Sequence, residues 1–243
     1  MINIENIMLC YSGVKVLDCI TLDFKKQQFN ILLGLSGSGK TSLLRILNLL
    51  TTPTSGIVKT EEFGQLDCNN KILGFRKQTA MIFQHNNLIP RLNILENVLI
   101  GKIYKKSFFK SFLRFSNDEK IQAMECLEKV GLIHKCLKRI NELSGGEKQR
   151  ACIARALYQK PKLLLADEPI SQLDPENSKL ILNLFNNLVK NEKVCLIMSL
   201  HQPEISLNFC DKIIGLKNGK IIYNQSSKKT SKYAVDEIYK QKF

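Results

Sequence analysis

Residues 34–41, GLSGSGKT, constrain this chain more than any other stretch. They follow the apolar run 29–33 and precede a helix-patterned run over 42–50. Every fixed position of G-x-x-x-x-G-K-[ST] is filled, in the strand-before, helix-after setting that gives the pattern its meaning. Gly34, Gly37 and Gly39 let the backbone curl, so that successive amides, those of Ser36 and Ser38 among them, turn into one concavity. The following helix adds the positive end of its dipole, Lys40 reaches for terminal phosphates, and the Thr41 hydroxyl is placed to ligate Mg²⁺. The loop implies binding of a nucleoside triphosphate on an α/β sheet. It does not say whether the triphosphate is hydrolysed, or what hydrolysis would drive.

The remaining bulk properties narrow the class. At 243 residues with 44% hydrophobic content, the chain supports one substantial core, with room for a small satellite. No apolar run approaches the roughly 20 residues that cross a bilayer, and the N-terminus lacks the basic-then-apolar pattern of a signal peptide. A cytoplasmic protein is expected. The eight cysteines are scattered without a C-x-x-C pair, so reduced, mostly buried thiols are expected. A net charge of +14 favours something anionic, whether nucleic acid, a lipid surface or an acidic partner, and is also compatible with a solvated basic surface.

Taken in order, the chain opens with two strands, 2–9 and 20–24, joined at a polar turn that exposes Tyr11. A short strand over 57–59 follows, then an irregular polar stretch over 67–76, a strand over 79–83 ending at Gln84, and a helix over 92–99. Residues 101–115 carry five basic residues and no acid, with Tyr104, Phe108, Phe112 and Phe115 at helical steps. That pattern predicts a basic amphipathic helix, packed in its own subdomain or against a membrane or an acidic partner helix. Ser116 and Glu119 form a capping box, opening a helix with Ile121, Met124, Leu127 and Val130 on one face. Ser144 and Glu147 form a second, opening a helix to Lys160, and the glycines inside it, Gly145 and Gly146, would let a phosphate approach the helix end.

The apolar strand 163–166 ends in Asp167-Glu168. Adjacent acids at the C-terminal end of a buried strand point to a metal site plus a base, with Asp167 on the Mg²⁺ hydration shell and Glu168 polarising a water. Asp174 is an N-cap ahead of Pro175, and Leu180, Leu184 and Leu188 are expected on the buried face of that helix. A strand over 194–199 leads to His201, and runs at 213–216 and 221–223 flank the hairpin signal Asn218-Gly219. The tail from 225 has weak helical character and no recognisable chemistry. Alternating strands and helices imply a mostly parallel sheet covered on both faces, with Gln84, Asp167 and His201 at its C-terminal strand ends.

With these motifs in order, the chain resembles the ATP-binding cassette ATPases over residues 2–223. The resemblance makes 34–41 the Walker A loop, Gln84 the Q-loop glutamine that touches Mg²⁺ or water, and 143–147 the signature. It makes Asp167 the Walker B aspartate, Glu168 the catalytic glutamate, 171–174 (with Asp174) the D-loop, His201 the switch histidine bonding the γ-phosphate, and Tyr11 the adenine-stacking ring. It implies a P-loop NTPase core with a mostly parallel sheet (1–84 and 161–223), an N-terminal antiparallel β subdomain, an inserted helical subdomain (85–160) and a basic tail (224–243). It also implies a homodimer sandwiching two ATP molecules, in which Ser144, Gly145 and Gly146 of one copy face the Lys40 loop of the other.

The segments AMIFQ at 80–84, NLIPRL at 87–92, LENVLIG at 95–101 and SLHQ at 199–202 are similar to the ATPase subunits of phosphonate importers. Ser199 departs from the asparagine common there, and 224–227 lacks the usual glycine and proline. The expected protein is a peripheral energy subunit on the cytoplasmic membrane face, joined to a separate permease and served indirectly by a substrate-binding protein, with no nucleic acid. An ATPase for another small solute is the alternative. A nucleic-acid-associated cassette would suit the charge but lacks that class's coiled coils or second cassette, and a non-hydrolysing sensor fits poorly with Glu168 and His201.

Overall fold

Period-two alternation in three apolar strands builds the architecture. The computed structural model describes residues 1–105, 115–201, 208–230 and 232–239. β1 (Ile2–Tyr11) and β2 (Val14–Phe24) form a hairpin, β3 (Phe29–Leu33) leads into the glycine-rich loop and α1 (Lys40–Leu47), and β4 (Ser55–Thr60) and β5 (Gly64–Gln65) follow. Next come α2 (Asn69–Lys77), β6 (Thr79–Ile82), α3 (Ile94–Leu99), α4 (Asn117–Lys129) and α5 (Gly145–Tyr158). The chain closes through β7 (Leu163–Asp167), α6 (Pro175–Asn191), β8 (Cys195–Leu200), β9 (Lys212–Lys217), β10 (Lys220–Ser226) and α7 (Lys232–Tyr239).

The larger sheet has the order β10-β9-β3-β8-β7-β6, all parallel except for β10 on β9, and the smaller is antiparallel in the order β2-β1-β4-β5. Because successive side chains point to opposite faces, each central strand feeds two cores. Phe29, Ile31 and Leu33, Leu164 and Ala166, and Leu196, Met198 and Leu200 face the helices α3 to α6. Leu32, Leu163 and Leu165, and Cys195 and Ile197 face α1 and the antiparallel sheet. This is the expected α/β class, a mostly parallel sheet with an N-terminal antiparallel layer, and 85–160 supplies α3 to α5.

Several local expectations differ. Residues 67–76 are not irregular: α2 forms there, although Phe75 is its one buried residue and no acid occupies its first turn. In α4 the buried stripe runs through Ala123 and Leu127, leaving Ile121 54% exposed. In α6 it runs through Ile181, Phe185 and Leu188, with Leu180 61% exposed. Leu180 and Ile121 satisfy a helical period, but Leu180 lies beside the α6 stripe that faces the sheet, and Ile121 lies off the α4 stripe that packs on α3 and α5. All eight cysteines are free, but only Cys152, Cys195 and Cys210 are buried, while Cys19 and Cys68 are exposed. Burial pushes those three buried thiols up to about 12. Of the expected basic helix over 101–115, residues 100–105 form a 3₁₀ segment, and Phe108 and Phe112 lie outside the described residues.

The described part of the tail is structured. α7 buries Val235 and Ile238 against β9, and Ile238 Cδ1 would lie 2.7 Å from a Cβ on Gly215. Burial pushes the Tyr239 phenol up to about 12 against an opposing pull from the Gly34 backbone, which places the end of α7 at the start of the glycine-rich loop. Ile238→Ala should therefore destabilise the fold by about 2–5 kcal/mol, the cost of a buried isoleucine truncation. Denaturant melts check this, and an unchanged midpoint would mean that α7 is not docked.

Candidate functional site

The glycine-rich loop occupies the C-terminal end of β3, the strand between β9 and β8. At two of its glycines there is no room for a side chain. A Cβ on Gly34 would lie 2.2 Å from the Leu216 carbonyl oxygen, and one on Gly39, at φ +106°, would lie 2.8 Å from Leu17 Cδ2. Gly37 is also left-handed at φ +76° but exposed, so there the requirement is conformational rather than spatial. Gly34→Ala should accordingly abolish nucleotide binding or leave the chain insoluble, as read by nucleotide titration; wild-type binding would contradict this geometry.

The loop fits a phosphate chain. α1 begins at Lys40 with Gly39 as N-cap and no side-chain capping bond, so its first amides are not satisfied from within. Ser38 Oγ is buried without a hydrogen-bond partner. Lys40 Nζ curls back onto the loop, donating to the carbonyls of Gly34 at 2.8 Å and Leu35 at 3.0 Å. Burial lowers the Lys40 pKa, and the nearby Glu168 and Asp167 carboxylates pull it back up. Ser36 is exposed at the loop tip and Thr41 is half-buried in the first turn of α1.

Both carboxylates arrive at the end of one strand. Asp167 ends β7 and pairs in register with Ser199 of β8. Asp167 and Glu168 are both buried, and Glu168 holds a left-handed backbone at φ +50°, which costs a non-glycine residue about 1–2 kcal/mol. That turn aims the Glu168 carboxylate at the other expected groups. Its Oε1 meets His201 Nε2 at 2.5 Å and its Oε2 accepts from Gln84 Nε2 at 3.0 Å. Beside Glu168 and His201 a cavity of ≈ 290 Å³ opens, walled by Ile170, Leu173 and Leu200.

Lys40, Gln84, Asp167, Glu168 and His201 thus come together within one chain. Ser144, Gly145 and Gly146 form a separate surface. Ser144 caps α5 with Glu147 in a complete capping box, and Lys135 beside Glu147 holds that carboxyl below its usual range. Their neighbours are Gln172 and Leu173, and no hydrogen bond or ion pair among the described residues joins them to the loop at 34–41. Asp174 follows directly, capping α6 through the Asn177 amide, which lowers its pKa. Tyr11 is 49% exposed at the tip of the β1–β2 hairpin, whose Val16 and Leu17 lean on Gly39. The sequence reading missed Ser199 as a site residue and marked it only as a departure. It also missed Cys152 and Arg155 of α5, which donate to the carbonyls of Asn86 and Asn87 just beyond Gln84.

A phosphate loop at the end of a central parallel strand, with two buried carboxylates at the end of β7, the next strand but one, defines a phosphate-loop nucleotide-binding protein. The order and completeness of the motifs around that loop narrow it further. The chain belongs to the ABC transporter family, whose model matches residues 17–171. It is 39% identical to a phosphonates import ATP-binding protein of Nostoc sp., over 98% of this chain and 92% of the relative. It is equally 39% identical to a phosphite import ATP-binding protein of Stutzerimonas stutzeri, over 98% of this chain and 87% of that one. Among solved structures, a dimeric ATP-binding cassette in a post-hydrolysis state, bound to ADP and Pi, superposes with a TM-score of 0.85 at 29% identity, covering 93% of this chain and 99% of that one.

Proposed function

We propose that this chain is the ATP-hydrolysing subunit of an importer for phosphonate or a related phosphorus oxyanion such as phosphite. The observation that carries the hydrolytic part is Glu168, buried at a strand end with one carboxylate oxygen on His201 and the other on Gln84. The similarity to phosphonate and phosphite import proteins across nearly the whole chain supports the cargo class.

In this reading the amides of 36–41 and the Lys40 ammonium bind the phosphates, with the Ser38 hydroxyl finding there the partner it otherwise lacks. Tyr11 stacks on the base. Thr41, Asp167 and Gln84 would hold Mg²⁺, which would supply neutralisation of the phosphate charge. Glu168 takes the proton of the attacking water, and His201 donates to the γ-phosphate oxygen where charge builds in the transition state. Each Glu168 oxygen keeps a lone pair beyond its present contact, so the carboxylate can take the water while Gln84 still donates to Oε2. The segment beyond Gln84 is held by Cys152 and Arg155, so movement of α5 would be felt at the contact between Gln84 and Glu168.

The exposed end of α5, with Asp174 nearby, completes the site of a second copy, so ATP joins two chains head to tail. Among the described residues no helix is long and apolar enough to cross a membrane. In this reading a separate permease supplies the channel, this chain sits on its cytoplasmic side, and a substrate-binding protein delivers the cargo. Membranes containing the cognate permease should stimulate ATP hydrolysis, further so with the binding protein and methylphosphonate or phosphite. Stimulation by DNA or RNA, with no effect of permease, would reverse the assignment.

A further inference from the structure

Ser199 lies fully buried at the end of β8, and its hydroxyl makes two hydrogen bonds at once. It donates to Asp167 Oδ1 at 2.6 Å and accepts from the backbone N–H of Glu168 at 3.0 Å. One proton and two lone pairs allow this assignment in one sense alone, since an ionised carboxylate offers no proton and an amide N–H accepts none. The result is a chain from amide to hydroxyl to carboxylate, polarised in a single direction and sealed from water, where such chains strengthen cooperatively.

The sheet makes this arrangement. Asp167 and Ser199 are register partners in the parallel ladder between β7 and β8. His201, two residues beyond Ser199, reaches Glu168 Oε1. One stretch of chain therefore grips Glu168 twice, by its backbone through Ser199 and by its carboxylate through His201. The grip matters because the Glu168 peptide is left-handed, and its far side is also held, its carbonyl accepting from the Ser171 hydroxyl at 2.9 Å and the Ser171 N–H at 3.3 Å. Released on one side, the peptide is free to relax towards the ordinary region, swinging the carboxylate away from Gln84 and His201.

We propose that Ser199 is a positioning residue for both carboxylates: it commits one oxygen of Asp167, reserving the other for the cation, and it pins the backbone turn that orients Glu168. This inference rests on the reading of Asp167 and Glu168 as the hydrolytic pair. A side chain that merely fills space would affect folding alone.

The test uses the full chain with Ser199→Ala and Ser199→Thr, the second retaining the hydroxyl. At saturating Mg²⁺, Ser199→Ala should lower kcat about 10- to 100-fold, the usual effect of removing a partner that orients a metal-binding or reacting group, while KM for ATP stays within about twofold. Its affinity for Mn²⁺, titrated with a non-hydrolysable ATP analogue, should weaken about 10-fold. Ser199→Thr should return both quantities to within about threefold of wild type. Wild-type kcat in Ser199→Ala overturns the proposal, as does a loss that appears wholly in KM, or a folded Ser199→Thr with the alanine defect. If Ser199→Thr does not fold, the Mn²⁺ titration of Ser199→Ala decides. A wild-type chain without ATPase activity would instead sink the parent reading, whereas equal activity of wild type and Ser199→Ala sinks this inference alone.

Discussion

Glu168→Gln should cut ATP turnover by about 10²- to 10⁴-fold, the contribution of a positioned general base, while ATP binding persists. The substitution is nearly isosteric. Its amide oxygen can still take one of the two contacts now made by Oε1 to His201 at 2.5 Å and Oε2 to Gln84 at 3.0 Å, so the fold around the φ +50° turn should survive. What is lost is the basicity that accepts a proton from water. ATP that is bound but not cleaved should hold two copies together, so size-exclusion chromatography with MgATP should show a dimer that wild type shows only transiently. Turnover near the wild-type rate would refute the general-base role. Hydrolysis lost together with binding would mean that Glu168 holds nucleotide rather than activating water.

The second large effect is expected at Lys40. Lys40→Ala should weaken ATP binding by two orders of magnitude or more, since a charge-assisted hydrogen bond contributes roughly 1.5–3 kcal/mol and a factor of 100 corresponds to about 2.7 kcal/mol. Lys40 Nζ now satisfies the Gly34 and Leu35 carbonyls, at 2.8 and 3.0 Å, and is drawn by Asp167 and Glu168. Its ammonium is thus partly desolvated and held beside the loop before any phosphate arrives, and that preorganisation is lost with the side chain. Titration with a fluorescent ATP analogue checks this. A dissociation constant within about threefold of wild type would show that backbone amides alone carry the phosphates. Lys40→Arg should also bind poorly, because a planar guanidinium cannot replace a compact ammonium bonded to two carbonyls.

The elements read correctly from sequence are those whose signals are local. The capping boxes at Ser116 and Ser144 and the Asp174-Pro175 helix start appear in the structure with their bonds formed. The hairpin about Asn218-Gly219 appears with both residues left-handed, at φ +48° and +74°. Each is decided within a few residues of chain. α2 was missed because nothing local announces it: Asn69 and Asn70 open it without a side-chain cap, and Phe75 is its single buried anchor. Ile121 and Leu180 read as inward in the sequence because spacings of three and four define more than one stripe on a helix, and only docking selects among them.

The site divides in the same way. Gly34 to Thr41, Gln84, Asp167, Glu168 and His201 were legible because each motif is short and its chemistry follows from residue type. Ser199 was not, since a lone serine in an apolar strand has no pattern, and its role exists only because parallel register sets it beside Asp167 and under the Glu168 amide. α7 is similar, for Val235 and Ile238 are buried only on reaching β9. By itself the sequence determined that the chain cradles phosphate, because the conformational freedom of glycine and the charge of lysine are written into the residues. The tertiary structure alone decided which groups hold the Asp167 and Glu168 carboxylates, because hydrogen bonds between strands far apart in the chain depend on register, and register is a property of the assembled sheet.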